Sequence, residues 1–143
     1  MNKDHTIYET TEYGTTYNAS QLNVQKESTR VELLKRTAIA RDYIIQNYNQ
    51  KFSLKDVAQA SCLSVNHLLR TFKAVYGVSP YQFLSIVKLE KAKFFLEESN
   101  YQIAYISFLI GFDSISSFIR LFKSVFNITP LKYKRLYITQ RSC

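Results

Sequence analysis

Few side chains in this chain are equipped for covalent chemistry. The only histidines are His5 and His67 and the only cysteines Cys62 and Cys143, and none has the spacing of metal ligands or the company of a catalytic thiol. There is no glycine-rich phosphate loop and no paired-carboxylate constellation, so the residues argue against an enzyme and imply no cofactor. What they offer is positive charge. Nineteen Lys and Arg stand against eleven Asp and Glu, a formal +8. Residues 1–29 hold two basic and four acidic residues (−2), whereas the remainder holds seventeen against seven (+10). A basic body with a mildly acidic tail suits a polyanionic partner. On the predicted helix after Ser64, the residues Val65, Asn66, Leu69, Arg70 and Lys73 can face outward while Leu68 and Phe72 pack back. His67 reads as a packing or anion-contacting residue, and Cys62 as a small buried one.

The elements that must position these groups are predicted to be helices. A hydrophobic fraction of 46%, with three glycines and two prolines, favours helices over a turn-rich β fold. No apolar run reaches the roughly eighteen residues of a membrane span, and the N-terminus lacks a signal-peptide core. A reducing, cytoplasmic setting without membrane contact is expected. Residues 72–80 (FKAVYGVSP) recur fifty positions later as 122–130 (FKSVFNITP), each position identical or physically close. Gly77 answers to Asn127, the two residue types that best tolerate a left-handed helix end. Two like units are thereby implied. Between them, Ser79, Pro80 and Gln82 form a capping box with proline at the first helical position, opening a helix over about 79–98. Its apolar residues spread too widely for one buried face, as in a helix clamped between two packed units.

In chain order, residues 1–29 lack an apolar period and read as a flexible leader or linker remnant. A first helix follows over about 30–47, with Ile39, Ala40, Tyr43, Ile44 and Tyr48 on the core side and Lys35, Arg36, Arg41 and Asp42 wet. Ser53 with Asp56 starts a short helix around the small Ala58. A three-residue turn leads to Ser64 and a second helix to about 76, which is the helix-turn-helix pattern over about 53–76. The second unit, about 102–126, repeats it with Ser107 in place of Ala58, a turn at Gly111 that is one residue longer, and Asp113 or Ser114 as cap. A last short helix covers about 131–137, and 138–143 is a tail.

From about residue 40 to 135 the chain resembles the DNA-binding domain of the AraC/XylS-type bacterial transcription regulators. The matching phrases are 52–58 (FSLKDVA), Ser64 with His67, Leu68 and Arg70, Phe72 and Lys73 with Gly77, Ser79 with Pro80, and 88–92 (KLEKA). Later come Gly111 with Phe112, Phe118 with Arg120, Phe122 with Lys123, Thr129 with Pro130, and Tyr133 with Lys134. Ser107 replaces the usual alanine, Asn127 the usual glycine, and Lys88 and Lys134 the usual arginines, all mild changes. The resemblance implies an all-α fold of about seven helices, two helix-turn-helix units on a linker helix, each placing a recognition helix in the DNA major groove. Base-contacting positions of the family correspond here to Asn66, Leu69 and Arg70, and to Ile115, Ser116, Ser117 and Arg120. For Arg70 and Arg120 a phosphate contact or an intramolecular ion pair is the alternative. His67, Lys73, Lys123, Lys132, Lys134 and Arg135 are phosphate neighbours, or else simply solvated charge.

The expected function is a sequence-specific, double-stranded DNA-binding transcription regulator. Unlike recognition helices imply a monomer on an asymmetric site, and a linker of roughly 30 Å approaches the about 34 Å repeat of the major groove. RNA polymerase is a further candidate partner, and no small-molecule effector site is expected in this chain. The competing readings are a helical adaptor for protein or RNA, and the C-terminal part of a larger ligand-sensing regulator.

Overall fold

The computed structural model describes residues 8–10, 16–18 and 26–142. The flexible-leader expectation falls largely outside them, as do His5 and Cys143. Seven helices carry the described chain: α1 (Glu27–Gln46), α2 (Leu54–Ala60), α3 (Val65–Tyr76), α4 (Pro80–Glu98), α5 (Ile103–Leu109), α6 (Ile115–Phe126) and α7 (Pro130–Arg141). The all-α architecture is as expected. Within the leader, however, β1 (Tyr8–Thr10) pairs antiparallel with β2 (Thr16–Asn18), Glu9 opposite Tyr17, and β2 runs beside α3. Both segments are built largely of Thr and Tyr, which favour extended backbone.

The helices begin where short polar side chains meet their first amides. Ser53 accepts from Asp56 N while the Asp56 carboxylate accepts from Ser53 N at 2.7 Å, a complete capping box. Ser79 and Gln82 form a second, with bonds of 2.9 and 3.2 Å. Ser64 caps α3, Ser114 rather than Asp113 caps α6, and Thr129 caps α7 ahead of Pro130. Each such cap stabilises its helix by about 1 kcal/mol. At the other end, Gly77 (φ 74) and Asn127 (φ 61) close α3 and α6 in the left-handed conformation, as the repeat foretold.

The chain divides into two compact units, residues 1–47 with 52–86, and residues 48–51 with 87–143. In the first, Ala40 and Ile44 of α1, Val57 of α2, Leu68 and Phe72 of α3, and Phe83 of α4 are fully buried. In the second, Leu89, Ala92 and Leu96 of α4 pack with Ile106, Ile110, Phe118 and Phe122, and Tyr48 and Phe112 lean on that cluster. Removing a buried Phe from either core costs about 3–5 kcal/mol.

Four local expectations are corrected. α1 starts at Glu27, not near residue 30; the acidic Glu27 in its first turn suits the helix dipole, and no apolar residue there could betray the extra turn. Ile39 is 48% exposed, because Leu33 and Thr37 take the inward face with Ala40 and Ile44. Cys62 is exposed, not buried: it occupies a left-handed turn position, φ 55, off the core. α7 continues through the supposed tail to Arg141, whose guanidinium reaches Glu98 at 3.1 Å in an exposed pair.

Candidate nucleic-acid interface

In the first unit, α2 and α3 pack on α1, which buries Leu68, Thr71, Phe72 and Val75 and turns the other side of α3 outward. Of the predicted base-reading residues, Asn66 and Arg70 are exposed and Leu69 is half-buried between them. Leu69, Arg70, Lys73, Ala74 and Gly77 line an open groove of about 570 Å³ along this side. Lys73 is exposed one turn beyond Arg70, whereas His67 is half-buried, its amide donated to Ser64 Oγ at 3.2 Å.

The second unit repeats this with a different chemistry. Ile115, Ser116, Ser117 and Arg120 are all exposed on α6, and Phe118 and Phe122 face the core. Ser117 is partly engaged, since its hydroxyl accepts from Ser114 Oγ at 2.9 Å. Lys123, Lys132 and Arg135 are exposed. Lys134 is half-buried, and its ammonium donates to Tyr101 O at 2.6 Å, which ties it to the fold more than the solvated-charge reading allowed. Among the described residues neither Arg70 nor Arg120 is ion-paired. The second unit holds ten basic against four acidic residues, the first nine against seven.

The two turns superimpose in hydrogen bonding up to one inserted residue. Leu63 N donates to Ala58 O at 2.9 Å and Phe112 N to Ser107 O at 3.1 Å, the same five-residue step. Ser64 then caps at once, while Asp113 intervenes before Ser114, so Asp113 is the extra residue of the longer turn. It pairs with Lys51 at 3.1 Å, a fully solvated contact of little energy.

Periodicity missed two basic residues at these turns. Arg36, assigned to a wet face, is half-buried and donates through Nη1 to Cys62 O at 3.1 Å. Lys88 donates to Gly111 O at 2.9 Å, its Nζ 4.9 Å from the Phe112 ring centre. Desolvation holds the Lys88 pKa below its ordinary value, opposed by the negative charge of Asp113. The one available signal was that Lys88 falls where the resembled family carries arginine.

Comparison with known proteins agrees with this geometry. A family model described as a helix-turn-helix domain matches residues 57–136. The HTH-type transcriptional regulator YdeC of Bacillus subtilis is 30% identical over 95 residues, covering 66% of this chain and 33% of that protein. The multiple antibiotic resistance protein MarA of Salmonella typhimurium is 36% identical over 93 residues, 65% of this chain and 73% of MarA. Among solved structures, the C-terminal domain of AraT, a response regulator from Geobacillus stearothermophilus, matches with a TM-score of 0.67 and 28% identity over 71% of this chain and 84% of that one. The chain thus spans about a third of a relative such as YdeC and most of one such as MarA. With two capped helix-turn-helix units and these matches, the chain belongs to the AraC-type helix-turn-helix family of DNA-binding transcription regulators.

Proposed function

We propose that this chain binds duplex DNA as a monomer, on an asymmetric site of two adjacent major-groove segments, with α3 and α6 as the reading helices. One observation carries the reading: α3 and α6 are matched twelve-residue helices, each serine-capped and closed left-handed, each with a buried inner face and a mainly polar outer face, interrupted on α6 by Ile115 and Val125. An α-helix fits the major groove, and its outward side chains meet base edges. Asn66 offers the paired donor and acceptor that suit adenine, Arg70 the fork that suits guanine, and Leu69 an apolar contact for a thymine methyl. On α6, Ile115, Ser116 and Ser117 discriminate less, and Arg120 is the one side chain there able to bond a base twice. His67, Lys73, Lys123, Lys132, Lys134 and Arg135 serve phosphates. Because the second unit carries most of the net charge, it supplies more of the non-specific attraction and the first unit more of the base discrimination. Such a protein works in the bacterial cytoplasm, with RNA polymerase as its second partner.

A second reading, contact with another protein, is favoured by one feature of the second unit. Phe94, Tyr101, Tyr105 and the 73% exposed Phe108 form a continuous run of exposed rings through Phe95, with neighbouring centroids 4.9–6.4 Å apart. Footprinting with measured stoichiometry tests the proposal. The expected result is one chain on an unsymmetrical site with protection on one face of the duplex. A two-fold symmetric site holding two chains, or no footprint at low salt, refutes it.

A further inference from the structure

We infer that Arg36 and Lys88 are positioning residues that set the aim of α3 and α6 by gripping the backbone of the turn in front of each helix. The inference rests on the proposed reading of those two helices. Each turn contains one left-handed residue, Cys62 at φ 55 and Gly111 at φ 80, just past the end of a seven-residue helix. The helix-end carbonyls Ala58 O and Ser107 O already accept from Leu63 N and Phe112 N, so the place that calls for a donor is the carbonyl of the left-handed residue beyond, at the negative end of the helix dipole. In both units a cation from the preceding long helix fills that place, Arg36 of α1 at Cys62 O and Lys88 of α4 at Gly111 O. The two cations differ in type and lie at different sequence separations, 26 and 23 residues, yet they reach the same acceptor of the repeat. A hydrogen bond from a charged donor is roughly twice as strong as a neutral one.

The surroundings hold each grip in place. Arg36 Nε is itself fixed by Glu32 at 2.9 Å. Lys88 lies over Phe112, whose ring packs on Phe118 of α6 at 5.5 Å between centroids. On its other side, Gly111 abuts the backbone of Asn49, so closely that a Cβ would meet it at 2.8 Å. Only Leu63 separates Cys62 from the cap of α3, and only Phe112 and Asp113 separate Gly111 from the cap of α6. Any slide of the turn therefore swings the first helical turn, where Asn66 and Ser116 stand.

The test is binding-site selection at fixed salt with Arg36→Met and Lys88→Met, which keep an apolar stem and remove the donors. Lys88→Met is expected to lose about tenfold discrimination at the bases read by α6 and to leave those read by α3 unchanged. Arg36→Met should do the reverse, and Lys88→Arg and Arg36→Lys should restore the parent motif. An unchanged motif, or an equal loss over all duplexes, overturns the inference. Hydrogen exchange without DNA gives a separate readout. The Phe112 amide should exchange about tenfold faster in Lys88→Met while the Leu63 amide does not, and no local change would overturn the inference by itself. If the parent protein binds no duplex, the proposed function falls while exchange still decides the positioning role. Should Lys88→Met not fold, Lys88→Gln, whose shorter stem draws the donor back from Gly111 O, is read by the same two measurements: a changed motif at the α6 bases with faster Phe112 exchange supports the grip, and either readout left parent-like overturns it.

Discussion

Gly77 and Gly111 hold nearly the same backbone, φ +74 and +80, in opposite surroundings, which lets one substitution be measured twice. A Cβ built at Gly77 has nothing within 4 Å, whereas one at Gly111 meets Asn49 Cα and O at 2.8 Å. Alanine at either position incurs the left-handed backbone cost of about 1–2 kcal/mol. Only at Gly111 must neighbouring backbone also retreat, by about 0.6 Å to reach ordinary contact at 3.4 Å, and overpacking of that kind costs about 1–3 kcal/mol more. Gly77→Ala should therefore lose about 1 kcal/mol and Gly111→Ala about 3 kcal/mol. Asparagine sharpens the contrast. Asn127 already occupies the equivalent of Gly77 at φ 61, so Gly77→Asn should lose less than Gly77→Ala, while Gly111→Asn keeps the full clash. Urea unfolding followed by circular dichroism, with slopes compared among variants, gives the values. Equal losses for the two alanine variants would mean that Asn49 is not packed on the turn before α6, and the reasoning would fail.

Two other outcomes follow from the same geometry. Arg70→Ala should relax base preference at one or two positions, whereas Lys123→Ala should weaken all duplexes alike and lower the salt slope by about one unit; an unchanged selected motif for Arg70→Ala, with Arg120→Ala erasing half of it, would reverse the ranking of the units. Tyr133 donates its hydroxyl to the Glu97 carboxylate, and desolvation first and that bond second hold its pKa well above the usual 10. Because the folded pKa is the raised one, this contribution is complete below pH 10 and is lost as pH rises through the folded value. Absorbance titration should find Tyr133 among the last tyrosines to ionise, and Tyr133→Phe should flatten the alkaline loss of stability; ionisation together with the exposed tyrosines would contradict the burial.

Much of the fold could be read because its punctuation is local. The serine at 53, 64, 79 or 114 needs only the amide three residues on, and the left-handed closure at 77 or 127 needs only a residue type that accepts it. The polar outer faces of α3 and α6 follow from the same short-range periodicity. What escaped depends on neighbours distant in sequence. Ile39 looks like core until Leu33 and Thr37 are seen to fill the face. Arg36 looks solvated until Cys62 O, twenty-six residues on, is found in its reach. Lys134 and Tyr101 meet across 33 positions, and no periodicity could pair them. Which base each outward side chain meets lies further still, since it is decided by a second molecule.

The second unit takes residues 48–51 from between two segments of the first, so the chain passes from one unit to the other three times. During synthesis the ribosome releases every residue of the first unit once position 86 has emerged. Tyr48 and Asn49 are then already outside but have no core to join, because Leu89, Ile106 and Gly111 have not yet emerged. The aromatic ring of Tyr48 waits in solvent for about forty more residues, a few seconds at bacterial elongation rates. A gene fragment beginning after residue 86 would encode a second helix-turn-helix that lacks the wedge behind its own turn. Modular as the repeat looks in sequence, no single cut of the chain separates the two units whole.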